Sequence, residues 1–139
     1  MNNMPDRHEM QFRVRYAECD PMGCVHHSRY LEYFEMGRTE LLRHAGVRYR
    51  DLEERGVLFV VASLQCRFRR PARYDDLLTL TVQVARVTRA RIDHRYELLR
   101  DGLLLCEASS VLACVDRAGR VIPIPEDVLT SHRPGAGKD

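Results

Sequence analysis

No apolar run in the chain approaches the roughly 20 residues that span a bilayer, so a transmembrane helix is excluded. The opening stretch, Met1 to Met10, is polar and charged and lacks the apolar centre of a secretion signal, so a cytoplasmic protein is expected. There is no CxxC pair. The five cysteines, at positions 19, 24, 66, 106 and 114, are odd in number and read as free thiols in a reducing compartment. Charge of one sign is missing as well. With 22 basic and 20 acidic residues the formal charge is +2, so the chain is not built to neutralise a phosphate backbone, and no nucleic-acid partner is expected. Internal repeats and low-complexity stretches are absent.

What is present is one domain's worth of core. The 139 residues are 45% hydrophobic and 30% charged, a folded composition that needs no disulfide staples. A single domain is expected over residues 1–130, with residues 1–8 frayed. The tail 131–139 (SHRPGAGKD) has no apolar anchor and is expected to be disordered.

Residues 10–17 alternate, with Phe12, Val14 and Tyr16 on one side, and predict a strand with one buried face. A loop, ECDPMGCVHHS, follows. Ser28 is placed to cap a helix from Arg29 to about Ala45, which Gly46 would end. Its apolar stripe includes Tyr30, Phe34, Leu41 and Ala45, with Leu31, Met36 and Leu42 nearby. Gly37 inside that helix suggests close backbone approach to another element. A short helical turn is expected at 50–55. Beyond it the period becomes two. Leu64, Cys66 and Phe68, then Leu78, Leu80, Val82 and Val84, then Ile92, His94, Tyr96 and Leu98 each alternate with polar residues. Asp101-Gly102 signals a hairpin into a strand over about 103–116. Ala118-Gly119 signals a turn into a short strand at 120–122, and Glu126 to Leu129 a helical turn. The class is α+β, a curved antiparallel sheet wrapped around one long helix. The other sheet face also needs a cover, so a homodimer or larger homo-oligomer is expected.

The chemistry is concentrated between Tyr16 and Arg38. Asp20, Pro21 and Gly23 are ordinary turn residues taken singly. Cys19, Asp20, Cys24, His26 and His27 could be read as metal ligands, but adjacent histidines rarely serve one ion and the spacing matches no closed zinc pattern, so no metal is expected. A third reading is a catalytic loop. The free amides at a helix start can hold an oxyanion, and a carboxylate beside them can attack or activate water.

The whole constellation resembles the 4-hydroxybenzoyl-CoA thioesterase-like branch of the hotdog-fold superfamily. Within that branch it is similar to the small bacterial acyl-CoA thioesterases, including those encoded beside the Tol-Pal envelope system. The residues in register are Tyr16, Asp20, Gly23, His27, Tyr30, Tyr33-Phe34, Glu35 and Arg38, continued by Pro71, Tyr74-Asp75-Asp76 and Cys114-Val115-Asp116. The similarity covers about residues 10–128. Cys19, Cys24 and His26 depart from the common Thr, aliphatic and Tyr, which bears on substrate choice more than on reaction type.

The resemblance implies a hotdog fold with five strands plus a short edge strand, and hydrolysis of a coenzyme A thioester with no cofactor. It makes Asp20 the catalytic carboxylate, as nucleophile or as general base. The amide near His27 would donate to the oxyanion, and the His27 side chain would orient water or Asp20, or do neither. Tyr16 would hydrogen-bond Asp20 or sit in the core of the first strand. Gly23 would let substrate pass close to the backbone. Glu35 and Arg38 would pair with each other or across a dimer. For the nucleotide phosphates it favours Arg86, Arg89 and Arg91 over the cluster Arg67, Arg69, Arg70 and Arg73. The partners implied are an acyl-CoA substrate and further copies of the chain, as a dimer or a dimer of dimers. A non-catalytic acyl-CoA-binding protein and a hotdog dehydratase or hydratase are the alternatives. The dehydratases need their acid and histidine elsewhere along the helix.

Overall fold

The alternating stretches pair into one antiparallel sheet in the computed structural model, which describes residues 6–132. Strand β1 spans Arg7–Arg13, β2 Leu58–Phe68, β3 Leu77–Val87, β4 Ile92–Arg100, β5 Leu103–Val115 and β6 Val121–Ile122. Their order is β1-β3-β4-β5-β2, with β6 beside β5. Asp101 and Gly102 both take positive φ, 52° and 78°, the mirror-image turn that suits a two-residue hairpin. The period-two reading holds closely on the inner face. Leu78, Leu80 and Val82 of β3 are buried, as are Ile92, His94, Tyr96 and Leu98 of β4.

Helix α1, His27–His44, lies on that face, followed by α2, Tyr49–Glu54; α3, Glu126–His132, closes the described chain. Phe34 stacks on Tyr96 with ring centroids 4.6 Å apart, and Tyr33 packs on Phe12 at 4.6 Å. Buried aromatics of this kind each contribute about 1.5–3 kcal/mol or more. The close approach suggested by Gly37 is present: a Cβ there would stand 2.7 Å from Leu80 Cδ2. The backbone of α1 therefore rests directly on β3, and Gly46, at φ 93°, ends the helix as expected.

Five expectations need correction. Strand β1 ends at Arg13, so Tyr16 is not a core residue of the first strand. It lies in a 3-10 turn, Tyr16–Glu18, and is 78% exposed. Helix α1 begins before Ser28, because the His26 imidazole caps it. Leu31 and Met36 do not join the buried stripe. Residues 7 and 8 belong to β1, and Asp6 is buried with its carbonyl accepting from the Val84 amide at 2.7 Å. Residues 1–5 of the expected frayed end and 133–139 of the expected tail lie outside the described residues.

The last correction concerns the outer sheet face, which does not need a cover. Pairing lines up Arg7, Gln83, Arg95, Ser109 and Gln65 across all five long strands, and Glu9, Thr81, Glu97, Glu107 and Arg67 in the next row. Water solvates such a surface without penalty. Exposed apolar side chains also lie along the free edge of β2, at Val60, Val61 and Phe68. No helix among the described residues is long and apolar enough to cross a membrane.

Candidate active site

The Asp-Pro-Met-Gly sequence folds as its turn chemistry dictates. The Gly23 amide donates to the Asp20 carbonyl at 2.9 Å, and the Asp20 amide to the Cys24 carbonyl at 2.8 Å. Gly23 takes φ 83°, where an L side chain would be strained. The Asp20 side chain holds the same turn: its Oδ1 accepts from the Met22 amide at 2.9 Å and the Cys24 amide at 3.1 Å. Both bonds use one oxygen, and Oδ2 takes part in neither. The turn reading and the catalytic reading of Asp20 are thus compatible in one side chain.

The loop is a small hairpin with both flanks tied down. On one flank Cys19 pairs with Val25, and the His26 amide donates to the Glu18 carbonyl at 2.9 Å. On the other flank Cys24 pairs with Arg73. The Val25 amide donates to the Ala72 carbonyl at 2.8 Å, and the Tyr74 amide to the Gly23 carbonyl at 3.2 Å. The Pro71–Asp76 segment therefore continues the hairpin as a third strand-like piece. It is itself held by the Arg100–Asp76 ion pair at 2.8 Å and by Arg73 N–H donating to Asp76 at 2.8 Å.

Helix α1 starts directly after this hairpin. His26 Nδ1 accepts from the Ser28 amide at 3.2 Å and lies 2.8 Å from Ser28 Oγ. The Arg29 amide donates to the His26 carbonyl at 2.9 Å. His27 is the first helical residue, so its amide has no carbonyl one turn earlier in the helix and stands at the positive end of the dipole. The Asp20–Cys24 pair lies two positions along the hairpin from His26, roughly 7 Å at the rise of a strand. The His26 and His27 rings lie 4.2 Å apart, tilted by 30°. Among the described residues no group of three or more His, Cys, Asp or Glu is arranged to hold a metal ion.

Glu18 was not singled out by sequence reasoning. It is buried, and its Oε1 accepts from the Arg15 amide at 2.9 Å and from the Tyr33 hydroxyl at 2.9 Å. Its Oε2 accepts from Arg15 Nε at 3.2 Å. Burial alone would raise its pKa. The hydrogen bonds from Arg15 and Tyr33 and the Arg15 charge outweigh burial and hold the carboxyl below the ordinary range. Tyr33 is pushed the other way, by burial and by the adjacent carboxylate. The Arg15-x-x-Glu18 spacing was the one available signal, and it is common on surfaces.

The remaining expected residues are spread more widely. Tyr16 sets its ring edge-on to Tyr74 at 5.5 Å instead of entering the core. Arg86, Arg89 and Arg91 gather around the β3–β4 hairpin, where Arg91 is fixed to Asp93 by two bonds of 2.8 Å and Arg89 lies 3.8 Å from Glu126. The other cluster is divided, with Arg69 bonded to Glu107 and Arg73 Nη1 3.5 Å from the Cys24 thiol. No ion pair joins Glu35 to Arg38 among the described residues; Arg38 reaches the Tyr96 hydroxyl at 3.4 Å, and that hydroxyl lies 2.7 Å from Ser110 Oγ. Both residues line a cavity of about 70 Å³ further along α1, with Thr39, Tyr49, Phe59 and His94.

An antiparallel sheet wrapped around one long helix is the hotdog architecture. The Thioesterase-like superfamily matches residues 14–131. The acyl-CoA thioesterase YbgC of Haemophilus influenzae is 39% identical over 119 residues, covering 84% of this chain and 87% of that protein. The acyl-CoA thioester hydrolase YbgC of Escherichia coli is 31% identical over 105 residues, covering 75% and 78%. A crystal structure of a probable thioesterase from Bartonella henselae superposes with a TM-score of 0.82 at 35% identity, covering 86% and 99%. The chain belongs to the thioesterase-like superfamily and has its hotdog fold.

Proposed function

We propose that the protein hydrolyses acyl-CoA thioesters at the Asp20 hairpin. One observation carries the assignment of the site: the Asp20 carboxylate and the helix-start amide of His27 belong to a single braced hairpin, the Asp20–Cys24 pair standing two positions before the His26 cap. A thioester seated between the two would meet the carboxylate at its carbonyl carbon and the amide at its oxygen.

The thioester oxygen takes the His27 amide, and the helix dipole stabilises the charge that develops on it. Two routes follow. In one, Asp20 attacks the carbonyl carbon, the C–S bond breaks, the coenzyme A thiolate leaves and takes a proton, and water hydrolyses the acyl-aspartyl anhydride. In the other, Asp20 accepts a proton from water as the water attacks, and the same C–S bond breaks. The His27 side chain orients the water, and Gly23 gives the substrate close passage. Tyr16, packed on Tyr74, forms the rim. Arg86, Arg89 and Arg91 stand at the far end of β3, roughly 30 Å along the strand from the hairpin, so they receive the nucleotide phosphates of a substrate bound at a neighbouring copy's hairpin, Arg91 already held in place by Asp93.

A second copy completes the protein. Strand β2 is an 11-residue edge with exposed Val60, Val61 and Phe68, the kind of edge that pairs with another strand unless it is blocked. Pairing of two β2 strands extends the sheet and brings two α1 helices side by side, each exposing Leu31 and Met36. The setting is the cytoplasm, where the five thiols stay reduced.

The test is thiol release from a panel of aromatic and aliphatic acyl-CoAs. Release that disappears in Asp20→Ala and survives in His26→Ala is the expected result. Binding without release would leave a non-catalytic acyl-CoA-binding protein. A single turnover in heavy-oxygen water separates the two routes, because label enters the Asp20 carboxyl only if Asp20 attacks.

A further inference from the structure

Glu18 joins three elements: the exit from β1, the Asp20 hairpin and α1. Its carboxylate receives the Arg15 amide, where the chain has just left β1. It also receives the Tyr33 hydroxyl, from a residue six positions beyond the start of α1. Its main-chain carbonyl receives the His26 amide, at the helix cap. One residue therefore grips α1 at two levels, the cap and a point roughly 9 Å further along the axis. Asp20 is two residues away on the same strand of the hairpin.

A buried carboxylate is an expensive way to build a turn. Its charge must be matched by hydrogen bonds, and here every one of them comes from an element whose placement fixes Asp20 against the helix mouth. A surface turn would need none of this.

We propose that Glu18 is a positioning residue, whose bonds to Arg15, Tyr33 and His26 set the separation between the Asp20 carboxylate and the His27 amide. The proposal rests on the thioester hydrolase reading. Glu18 touches neither substrate nor reacting atoms. It acts through Asp20, by preventing the hairpin from rocking about the helix axis.

The chemistry of the side chain makes the test specific. Both the Arg15 amide and the Tyr33 hydroxyl donate to the same oxygen, Oε1. A glutamine can present one carbonyl oxygen to both donors, whereas alanine presents none. Glu18→Ala is expected to lower kcat about 100-fold, the effect of a displacement near 1 Å, with KM for acyl-CoA changed less than twofold. Glu18→Gln restores kcat to within about threefold of the original protein. Tyr33→Phe, which removes one bond and keeps the ring in the core, lowers kcat about tenfold with the same unchanged KM.

Rates are taken per folded molecule, with folding followed by circular dichroism. A fall in thermal stability at unchanged kcat, or a loss that appears in KM, overturns the proposal. So does a glutamine variant as slow as the alanine variant. Should Glu18→Ala fail to fold, Glu18→Gln and Tyr33→Phe decide alone: kcat near the original for glutamine and about tenfold lower for phenylalanine supports the role, and any other pair of values refutes it. Absence of thiol release in the unmodified protein would instead defeat the hydrolase reading itself. Active protein with an inert Asp20→Asn variant and an unimpaired Tyr33→Phe variant would defeat only the role given to Glu18.

Discussion

Asp20 is assigned two jobs, and two substitutions separate them. Its Oδ1 holds the turn through the Met22 and Cys24 amides. Asp20→Asn keeps an oxygen in that place and loses the charge, whereas Asp20→Ala loses both. A hydrogen bond of this kind contributes about 0.5–1.5 kcal/mol, more when the acceptor is charged. The residue is half-buried, so the two bonds together are worth about 2 kcal/mol. Asp20→Ala should therefore lower Tm by about 6–10 °C for a chain of this length, and Asp20→Asn by about 3 °C or less. Activity should not follow stability. Either variant removes the nucleophile or base, and kcat should fall at least about 100-fold in both. Scanning calorimetry at one fixed protein concentration gives the first quantity, and thiol release from the best acyl-CoA of the panel gives the second. An asparagine variant that keeps more than a tenth of kcat would refute the chemical role. Equal Tm values for the two variants would refute the structural one.

Four further outcomes can be checked. Gly37→Ala gains about 1 kcal/mol of helix propensity but drives a methyl to 2.7 Å from buried Leu80; the overpacking costs about 1–3 kcal/mol, so urea titration should show net destabilisation near 1 kcal/mol. The Glu18 carboxyl is held below its ordinary value of 4.5, so its stabilisation is complete above that pH and is lost as pH falls through the lower folded value. The stability gap between the original protein and Glu18→Gln should shrink in urea titrations below about pH 4.5, and a gap that widens toward acid contradicts the assignment. Burial pushes the Cys106 and Cys114 thiols up to about 12, so iodoacetamide at pH 8 should spare both in folded protein, as read by mass spectrometry; rapid labelling at either would show that the core is open there. Val60→Lys places a charge on the β2 edge and should yield monomers in sedimentation, whereas an unchanged mass would move the interface elsewhere.

The sheet was legible in the sequence because alternation of apolar and polar residues is a direct image of a strand with one buried face. Strands β3 and β4 follow it residue by residue. The same alternation misled at Tyr16. It runs on past Arg13 in the sequence, but the chain turns at Arg15, held by Glu18, and a contact between side chains leaves no periodic trace. The helix start was displaced for a similar reason. Ser28 is the usual cap type, yet a histidine two residues earlier takes that role with Ser28 as its partner. The outer face was readable and misjudged: Thr81, Gln83, Arg95 and Glu97 were already the polar half of the alternation, and a solvated face requires no partner. For the site, Asp20, Gly23 and His27 were visible as a motif. The brace behind them was not, because Glu18, Tyr33 and the 72–74 segment meet only in three dimensions.

Alongside the side-chain bonds of Glu18 and Asp20, the bonds that tie the Asp20 hairpin to its neighbours belong to the main chain: Cys24 to Arg73, Val25 to Ala72, Tyr74 to Gly23, Cys19 to Val25. The side chain at 22 is exposed, and those at 19 and 24 add only thiol contacts, to the Arg15 carbonyl at 3.8 Å and to Arg73 Nη1 at 3.5 Å. The departures at Cys19 and Cys24 from the commoner residues then carry little penalty, and these positions are the natural ones to diversify in a library seeking new acyl selectivity. Position 26 is the exception, since its imidazole caps the helix, and a replacement there should be chosen among residues able to do the same.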